Sequence, residues 1–202
     1  MTDRRTFLKT GITALALPTI ARNAFSLPLA IPAEKPSYIV PYKVVYDQRF
    51  QDSVAFAGEA SKLGAATHGL KGDVTDLWYN DLYHEWKKGP AAIMGMTTED
   101  SLFCLQILAQ EQRMHTVFRV EHNYLAENRI EHVITGTSQV PHELADLANV
   151  GPAWNIRMSN VVMQYPAQPA KPAATKIITQ LDRPATDQES LVTWVIAPIK
   201  KI

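Results

Sequence analysis

The sequence predicts an α/β fold, a single domain with a mainly parallel sheet in the order βαβαβαβ. From Tyr42 onward, short runs rich in β-branched residues alternate with longer runs whose apolar residues recur at helical spacing. This alternation is typical of βαβ units. The chain has 46% hydrophobic and 20% charged residues, which is the composition of an ordinary globular protein. The region 42–165 is long enough for one domain with its own core.

Four elements are predicted in the first part of this region. The run YKVVY predicts a strand over 42–46, and the helix that follows it over 52–63 ends at Gly64, a residue that helices favour just past their last turn. A strand of lower β propensity is predicted over 65–70. Over 76–88, apolar residues at i, i+3, i+4 and i+7 predict an amphipathic helix, and these residues are Tyr79, Leu82, Tyr83 and Trp86.

Two more strands and a helix complete the βαβαβαβ pattern. The apolar run AAIMGM predicts a central strand over 91–96, and TVFRV predicts a fourth strand over 116–120. Between them we expect a largely buried helix that runs from a cap at Thr97 or Thr98 to about Arg113. The single cysteine of the chain, Cys104, lies in this helix and is expected to be an inert buried thiol.

The part of the domain beyond these strands has less regular patterns. Alternation of apolar and polar residues predicts a strand over 129–135. Residues 141–148 predict a short helix that ends before Gly151. The stretch 154–163 fits more than one kind of element.

Proline-rich segments flank the predicted domain. Four prolines in 27–41 exclude a long helix and predict an extended lead-in. The sequence PAQPAKPAAT over 166–175 predicts a semi-rigid linker, and two strands after it, over 176–181 and 191–197, predict a C-terminal β-hairpin within 176–202. Because both faces of the last strand are largely apolar, it must either insert into the domain's own sheet or be covered by another chain.

The N-terminal segment carries an export signature. An Arg-Arg-x-Phe-Leu-Lys run is followed by an apolar stretch over 11–21 and by Ala24-Phe25-Ser26, which suits a signal peptidase that cleaves after Ser26. The run resembles the twin-arginine (Tat) motif of proteins exported in folded form. This resemblance covers residues 1–26 and implies the Tat translocon as a partner and the periplasm as the destination. The motif residues are Arg4, Arg5, Phe7, Leu8 and Lys9.

Charge and hydropathy exclude two classes of partner. The predicted signal holds four of the 20 Lys and Arg residues and one of the 20 Asp and Glu residues, which leaves 16 cations against 19 anions, or about −3. A weakly negative chain lacks the clustered cations that bind nucleic acid. The apolar stretch over 11–21 is also well short of the roughly 20 residues that span a bilayer, so no stable membrane span is expected.

Polar residues follow each of the four predicted strands, where an open parallel sheet binds ligands. If the strands are as predicted, these residues share one rim and suit a small polar ligand, with the start of the 97–113 helix open to an anion. The alternative is that the Asp and Thr residues form turns and caps and that Arg49 is in a surface ion pair. The ligand-binding candidates are Asp47, Arg49, Asp73, Thr75, Thr97, Thr98 and Glu121.

His122, next to Glu121, is the candidate for acid–base catalysis, because an imidazole changes charge near neutral pH. The alternative is a hydrogen-bonded structural histidine. The six histidines form no i, i+4 pair and no His-x-His, so no metal site is predicted. With a single cysteine, and without Gly-x-Ser-x-Gly, Walker or Gly-x-Gly-x-x-Gly patterns, the sequence indicates no cofactor and no familiar catalytic motif.

Two functions fit these observations. The first is an exported, non-catalytic accessory subunit that travels with a larger periplasmic redox subunit, with the C-terminal hairpin added to the partner's sheet edge. The second is a small periplasmic enzyme or ligand-binding domain that uses the polar rim. The lack of a catalytic motif favours the first and argues against an enzyme.

Overall fold

A computed structural model describes residues 38–137, 144, 146–167, 172–182 and 189–198. The predicted export signal, residues 1–26, most of the proline-rich lead-in and residues 168–171 of the predicted linker lie outside these ranges. The linker prediction is wrong for 172–175, which belong to a strand. Within them there are seven strands, four helices and two short 3-10 turns. The strands are β1 Lys43–Asp47, β2 Thr67–Leu70, β3 Ile93–Thr98, β4 Met114–Leu125, β5 Arg129–Thr137, β6 Pro172–Gln180 and β7 Leu191–Pro198. The helices are α1 Gln51–Lys62, α2 in three consecutive pieces (Thr75–Leu77, Trp78–Leu82 and Tyr83–Trp86), α3 Glu99–Gln110 and α4 Trp154–Met163. The 3-10 turns are Asp146–Asn149 and Gly151–Ala153.

The strands form one sheet in the order β2-β1-β3-β7-β4-β5-β6. The α/β class with a single sheet is therefore confirmed. Strand β1 pairs in parallel with β2 and β3, and the other four pairings are antiparallel. Strands β1 to β4 all point in the same direction, as the βαβαβαβ prediction requires. The sheet is nevertheless mixed, because β7 lies between β3 and β4 and runs against both.

The predicted C-terminal hairpin is wrong. Strand β7 is a central strand that pairs with β3 and β4, whereas β6 is the edge strand and pairs with β5. Every residue of β7 from Leu191 to Ala197 is buried. The structure therefore realises the first of the two outcomes that an all-apolar last strand allows, insertion into the domain's own sheet.

Two hydrophobic clusters cover the two faces of the sheet. One joins β-strand residues such as Val44 and Val120 to α1 and α4. The other joins Val45, Val192 and Trp194 to α2 and α3. Alternate residues of one strand thus belong to different clusters, as the two-residue period of a strand requires.

Helix α2 contains a π-helical turn over Trp78–Leu82. A π turn places residues five apart on one face, so Leu77, Leu82 and Trp86 are the buried residues. The predicted apolar face is wrong in part, because Tyr79 is 64% exposed and Tyr83 38% exposed. The ordinary helical period predicts a face that does not allow for the extra residue in this turn.

Other differences from the sequence prediction are local. Strands β3 and β4 extend beyond their predicted ends, so that Thr97, Thr98, Glu121 and His122 are strand residues. Cys104 is exposed on the outer side of α3, so the prediction that its thiol is buried is wrong as well. Of the helix predicted over 141–148, residues 141–143 and 145 lie outside the described residues, and 146–148 belong to the 3-10 turn Asp146–Asn149. No helix in the described ranges is long and apolar enough to cross a bilayer.

Candidate functional site

The chain changes its direction of travel across the sheet at β1. From β1 it passes through α1 to β2 on one side, and then through α2 to β3 on the other side. Helix α1 packs on one face of the sheet and α3 on the opposite face. In open α/β sheets, ligands bind in the crevice outside the carboxyl ends of the strands at such a point. The residues at this edge are therefore the first to consider.

Asp47 and Arg49 form an ion pair at this edge. Asp47 is the last residue of β1 and is buried. Its carboxylate accepts the Arg49 backbone N–H at 3.0 Å and the guanidinium Nη2–H at 2.7 Å. This side-chain hydrogen bonding raises the pKa of Arg49. The structure brings these two candidates together, but their charges are directed at each other.

Asp73 and Thr75 form a turn before α2. The Asp73 carboxylate accepts the Thr75 backbone N–H at 2.8 Å, and hydrogen bonding by Thr75 lowers the pKa of Asp73. Both residues are exposed. The Arg49 guanidinium lies against Gly72, where a Cβ atom would be 3.0 Å from Arg49 Cζ. The loops after β1 and β2 are thus in contact, and Asp73 has the turn geometry of the structural alternative.

Thr97 and Thr98 are the last two residues of β3. The buried Thr97 hydroxyl accepts the Trp194 indole N–H at 3.0 Å and donates to the Thr98 carbonyl. Thr98 occupies the N-cap position of α3, but its side chain makes no capping hydrogen bond, and its hydroxyl lies 3.4 Å from Ser101 Oγ. The predicted side-chain cap is therefore wrong. Two acidic residues in the first turn of α3 already occupy the positive end of the helix dipole.

Glu121 belongs to a surface ion network. The Arg119 guanidinium lies 3.1 Å from Glu121 and 2.8 Å from Glu99. Because neighbouring residues of a strand point to opposite faces, Glu121 and His122 lie on different sides of the sheet. The structure therefore does not bring these two candidates together on one rim.

His122 is completely buried in the sheet and faces a second histidine. Its Nδ1 atom lies 2.7 Å from Nδ1 of His132, the residue opposite it on β5. His122 Nε2 lies 2.7 Å from the Thr193 hydroxyl on β7, and His132 Nε2 lies 3.1 Å from the Thr179 hydroxyl on β6. These four side chains form a buried polar row across four neighbouring strands.

The aromatic ring of Trp154, the first residue of α4, covers this row. The ring centroids of Trp154 and His122 are 4.5 Å apart, and those of Trp154 and His132 are 5.2 Å apart. Burial lowers the pKa of His132 to about 4, and burial together with the neighbouring imidazole lowers the pKa of His122 well below 6.5. Both rings are therefore neutral at pH 7, so neither one stores a proton for acid catalysis at that pH.

The same face carries three further polar residues that sequence reasoning missed. Asp52, in the first turn of α1, is buried, and its carboxylate accepts the Tyr124 hydroxyl at 2.6 Å and the Asn155 amide at 2.8 Å. Tyr124 lies two residues after His122, and Asn155 follows Trp154. The sequence gives one signal for Asp52, an acidic residue at the start of a helix. Stabilisation of the helix end is enough to explain such a residue, so it does not indicate a binding site.

Two cavities are described in the structure. One of about 380 Å³ lies beside Asp52 and Asn155 and is also lined by Gln51, Val54, Ala55 and Pro152. The other, about 410 Å³, lies at the amino ends of β1 and β3 and is lined mainly by Pro, Ala and aliphatic residues. We favour the first as the candidate site, which we call the Asp52 cleft. It combines a volume typical of ligand pockets with convergent polar groups at the carboxyl edge.

The rim is therefore divided between the two faces of the sheet. Asp47, Arg49 and Asp73 are grouped near Ser101, whose hydroxyl donates to the Gly72 carbonyl at 3.3 Å. His122 lies on the other face, in the same layer as the Asp52 cleft. Within the described ranges, no three His, Cys, Asp or Glu side chains are grouped as metal ligands.

Comparison with models of protein families, with curated proteins and with solved structures gives no match for this chain.

Proposed function

We propose that this protein is exported to the periplasm by the Tat route and binds a small polar ligand there, in the Asp52 cleft. The observation that supports ligand binding is the cavity of about 380 Å³ between the first turns of α1, the helix that follows β1, and the start of α4. Its wall carries a buried carboxylate that two side chains from β4 and α4 hold in position. A carboxylate held in this way suits the donor groups of a ligand, such as an ammonium or a hydroxyl. We infer no chemical step, because the buried imidazoles lie beneath Trp154 and not in the cleft.

The ligand proposal is tested by thermal shift with a panel of amino acids, polyamines, sugars and dicarboxylates. A compound present at 100 times its Kd stabilises the folded state by about 2.7 kcal/mol, so the Tm of the wild type should rise by roughly 5–10 °C. In Asp52→Asn and Asn155→Ala, this ligand-induced rise should fall below about 2 °C. The readout is the rise and not the Tm itself, because both variants also lose hydrogen bonds.

The matched control is Asp73→Asn, which changes an exposed carboxylate in the other half of the rim. It should keep the full ligand-induced rise. If Asp73→Asn loses the rise while Asp52→Asn keeps it, the ligand binds beside Arg49 and the Asp52 cleft is not the site. If no compound in the panel raises the Tm of the wild type, the ligand proposal fails for these compound classes.

The export proposal is tested by Arg4→Lys with Arg5→Lys. Lysine keeps the charge but lacks the planar guanidinium fork, so we expect the double variant to remain in the cytoplasm, with a loss of at least about tenfold in the periplasmic fraction. Arg22→Lys is the control and should be exported normally. Normal export of the double variant would contradict the proposal. Mass spectrometry of the periplasmic protein should give Leu27 at or near the N-terminus.

A second candidate function is the accessory subunit of a larger periplasmic redox protein. One observation favours it: Phe103 and Ile107, one turn apart on α3, are 58% and 48% exposed, and adjacent exposed apolar side chains often mark an interface. The docking hairpin no longer supports this candidate, because β7 is inside the sheet. Size-exclusion chromatography of the same periplasmic fraction distinguishes the two functions, since a monomer would contradict the accessory subunit.

A further inference from the structure

The hydrogen bonds of the buried polar row determine where its protons lie. The Thr179 hydroxyl donates to the Leu147 carbonyl oxygen at 2.6 Å, and a hydroxyl has a single proton to donate. His132 must therefore donate its Nε2–H to Thr179, and its Nδ1 atom accepts the Nδ1–H of His122. His122 Nε2 then accepts the hydroxyl proton of Thr193.

This order uses all four ring nitrogens, and both rings are neutral. Protonation of His122 at Nε2 requires only that the Thr193 hydroxyl turn and accept, so a single proton leaves the row hydrogen-bonded. When both rings are protonated, two donors face each other across 2.7 Å. The row loses a hydrogen bond only when both imidazoles are charged.

Among the described residues, the charged groups around the row make no contact with its ring nitrogens. Each ring nitrogen is bound to a threonine hydroxyl or to the other ring, so none contacts a carboxylate. On the strands, Glu121 and Glu131 point to the opposite face and bind Arg119 and Lys176. From the covering elements, Asp52 on α1 binds Tyr124 and Asn155, Asp146 of the 3-10 turn is exposed, and α4 contributes the cation Arg157.

The row is connected to the helix above it by packing. Trp154 is fully buried and contacts both imidazole rings at the start of α4. Thr179 ties the other end of the row to the turn at Leu147, seven residues before Trp154. A charged ring beneath Trp154 must regain water, and movement of α4 or of this turn away from the sheet would give water access to it.

We propose that the His122–His132 pair is an acid-operated lock that holds α4 on the sheet while both rings are neutral and releases it when they take up protons. The structure favours the closed form at neutral pH because the row is fully hydrogen-bonded and buried. The open form exposes Trp154 and, next to it, Asn155, which is bound to Asp52. A lock of this kind would make the α4 side of the protein respond to the pH outside the cytoplasm.

The first test is ¹⁵N NMR of the wild-type protein labelled at histidine. At pH 7.5, we expect His122 as the less common Nδ1–H tautomer and His132 as the Nε2–H tautomer. As the pH falls from 6.5 to below 4, both signals should change to the imidazolium form together with a loss of exchange protection in α4. Protection in α3, on the opposite face, should change less. Two charged rings at pH 7.5, or equal loss of protection in both helices, would overturn the proposal.

The second test compares the double variant His122→Gln with His132→Gln against the wild type. A glutamine pair donates and accepts hydrogen bonds but stays neutral at every pH. Between pH 7 and 4.5, the Tm of the wild type should fall by roughly 10 °C more than that of the double variant. The control is the double variant His84→Gln with His115→Gln, in which both histidines are exposed. Its Tm should fall by the same amount as that of the wild type. Equal pH dependence of the wild type and the buried double variant would overturn the proposal, and the NMR test stands alone if the variant does not fold.

Discussion

A chain that lacks residues 166–202 is expected not to fold. The deletion removes the edge strand β6 and the central strand β7, so β3 and β4 each lose a neighbouring strand. It also removes side chains that are buried in both hydrophobic clusters, including Leu191, Val195 and Trp194. Each buried aliphatic or aromatic side chain contributes about 1.5–3 kcal/mol, and six large ones among the described residues are lost, so the loss is as large as the 5–15 kcal/mol by which a typical domain is stable. Circular dichroism of the truncated chain should show no cooperative thermal transition.

A pair of isoleucine substitutions provides the control within the same segment. Ile196 on β7 is fully buried, whereas Ile178 on β6 is 49% exposed. We expect Ile196→Ser to cost at least about 3 kcal/mol and Ile178→Ser less than about 1 kcal/mol. A cooperative melt of the truncated chain would contradict the role of β7 as a central strand and would restore the docking hairpin.

The sequence allows the class of the fold to be predicted, because class depends on local patterns. The alternation of strands and helices from β1 to β4 is carried by runs such as YKVVY and TVFRV, and these strands do run in one direction. The position of β7 depends instead on contacts between residues that are distant in the sequence. Its apolar faces predict that it is covered, but the choice between its own sheet and a partner is made by contacts with residues about 70 to 100 positions earlier in the chain, which no local pattern records.

The candidate site was predicted less well than the fold, and for a related reason. The sequence predicts His122 as the candidate for acid–base catalysis, but its partner is fixed by the register between β4 and β5, in which His132 lies directly opposite. One signal was available: both histidines lie at the inward positions of their strands, between Val120 and Tyr124 and between Ile130 and Ile134. A buried histidine at such a position needs hydrogen-bond partners. Asn155, by contrast, lies in a stretch whose element was left open.

Substitution of Gly95 by alanine is expected to destabilise the protein more than any other single methyl addition that we consider. Gly95 lies in β3 between Val45 of β1 and Trp194 of β7. A Cβ atom at this position would be 2.3 Å from the Val45 carbonyl oxygen and 2.6 Å from Trp194 Cζ2. The strand backbone and a fully buried indole cannot both move away without loss of sheet hydrogen bonds. We expect a loss of about 4 kcal/mol or more, measured by urea denaturation.

Gly58 provides the matched control because it lies in α1 with no atom within 4 Å of a Cβ at its position. Alanine there removes the entropic disadvantage of glycine in a helix, so Gly58→Ala should raise the free energy of unfolding by about 0.5–1 kcal/mol. The two variants add the same methyl group and differ only in what surrounds it. If Gly95→Ala unfolded at the same urea concentration as the wild type, β3 could not be packed between β1 and β7 at the spacing described here. The edge that carries Asp47, Thr97 and the Asp52 cleft would then have a different arrangement, because the position of each of these residues depends on that packing.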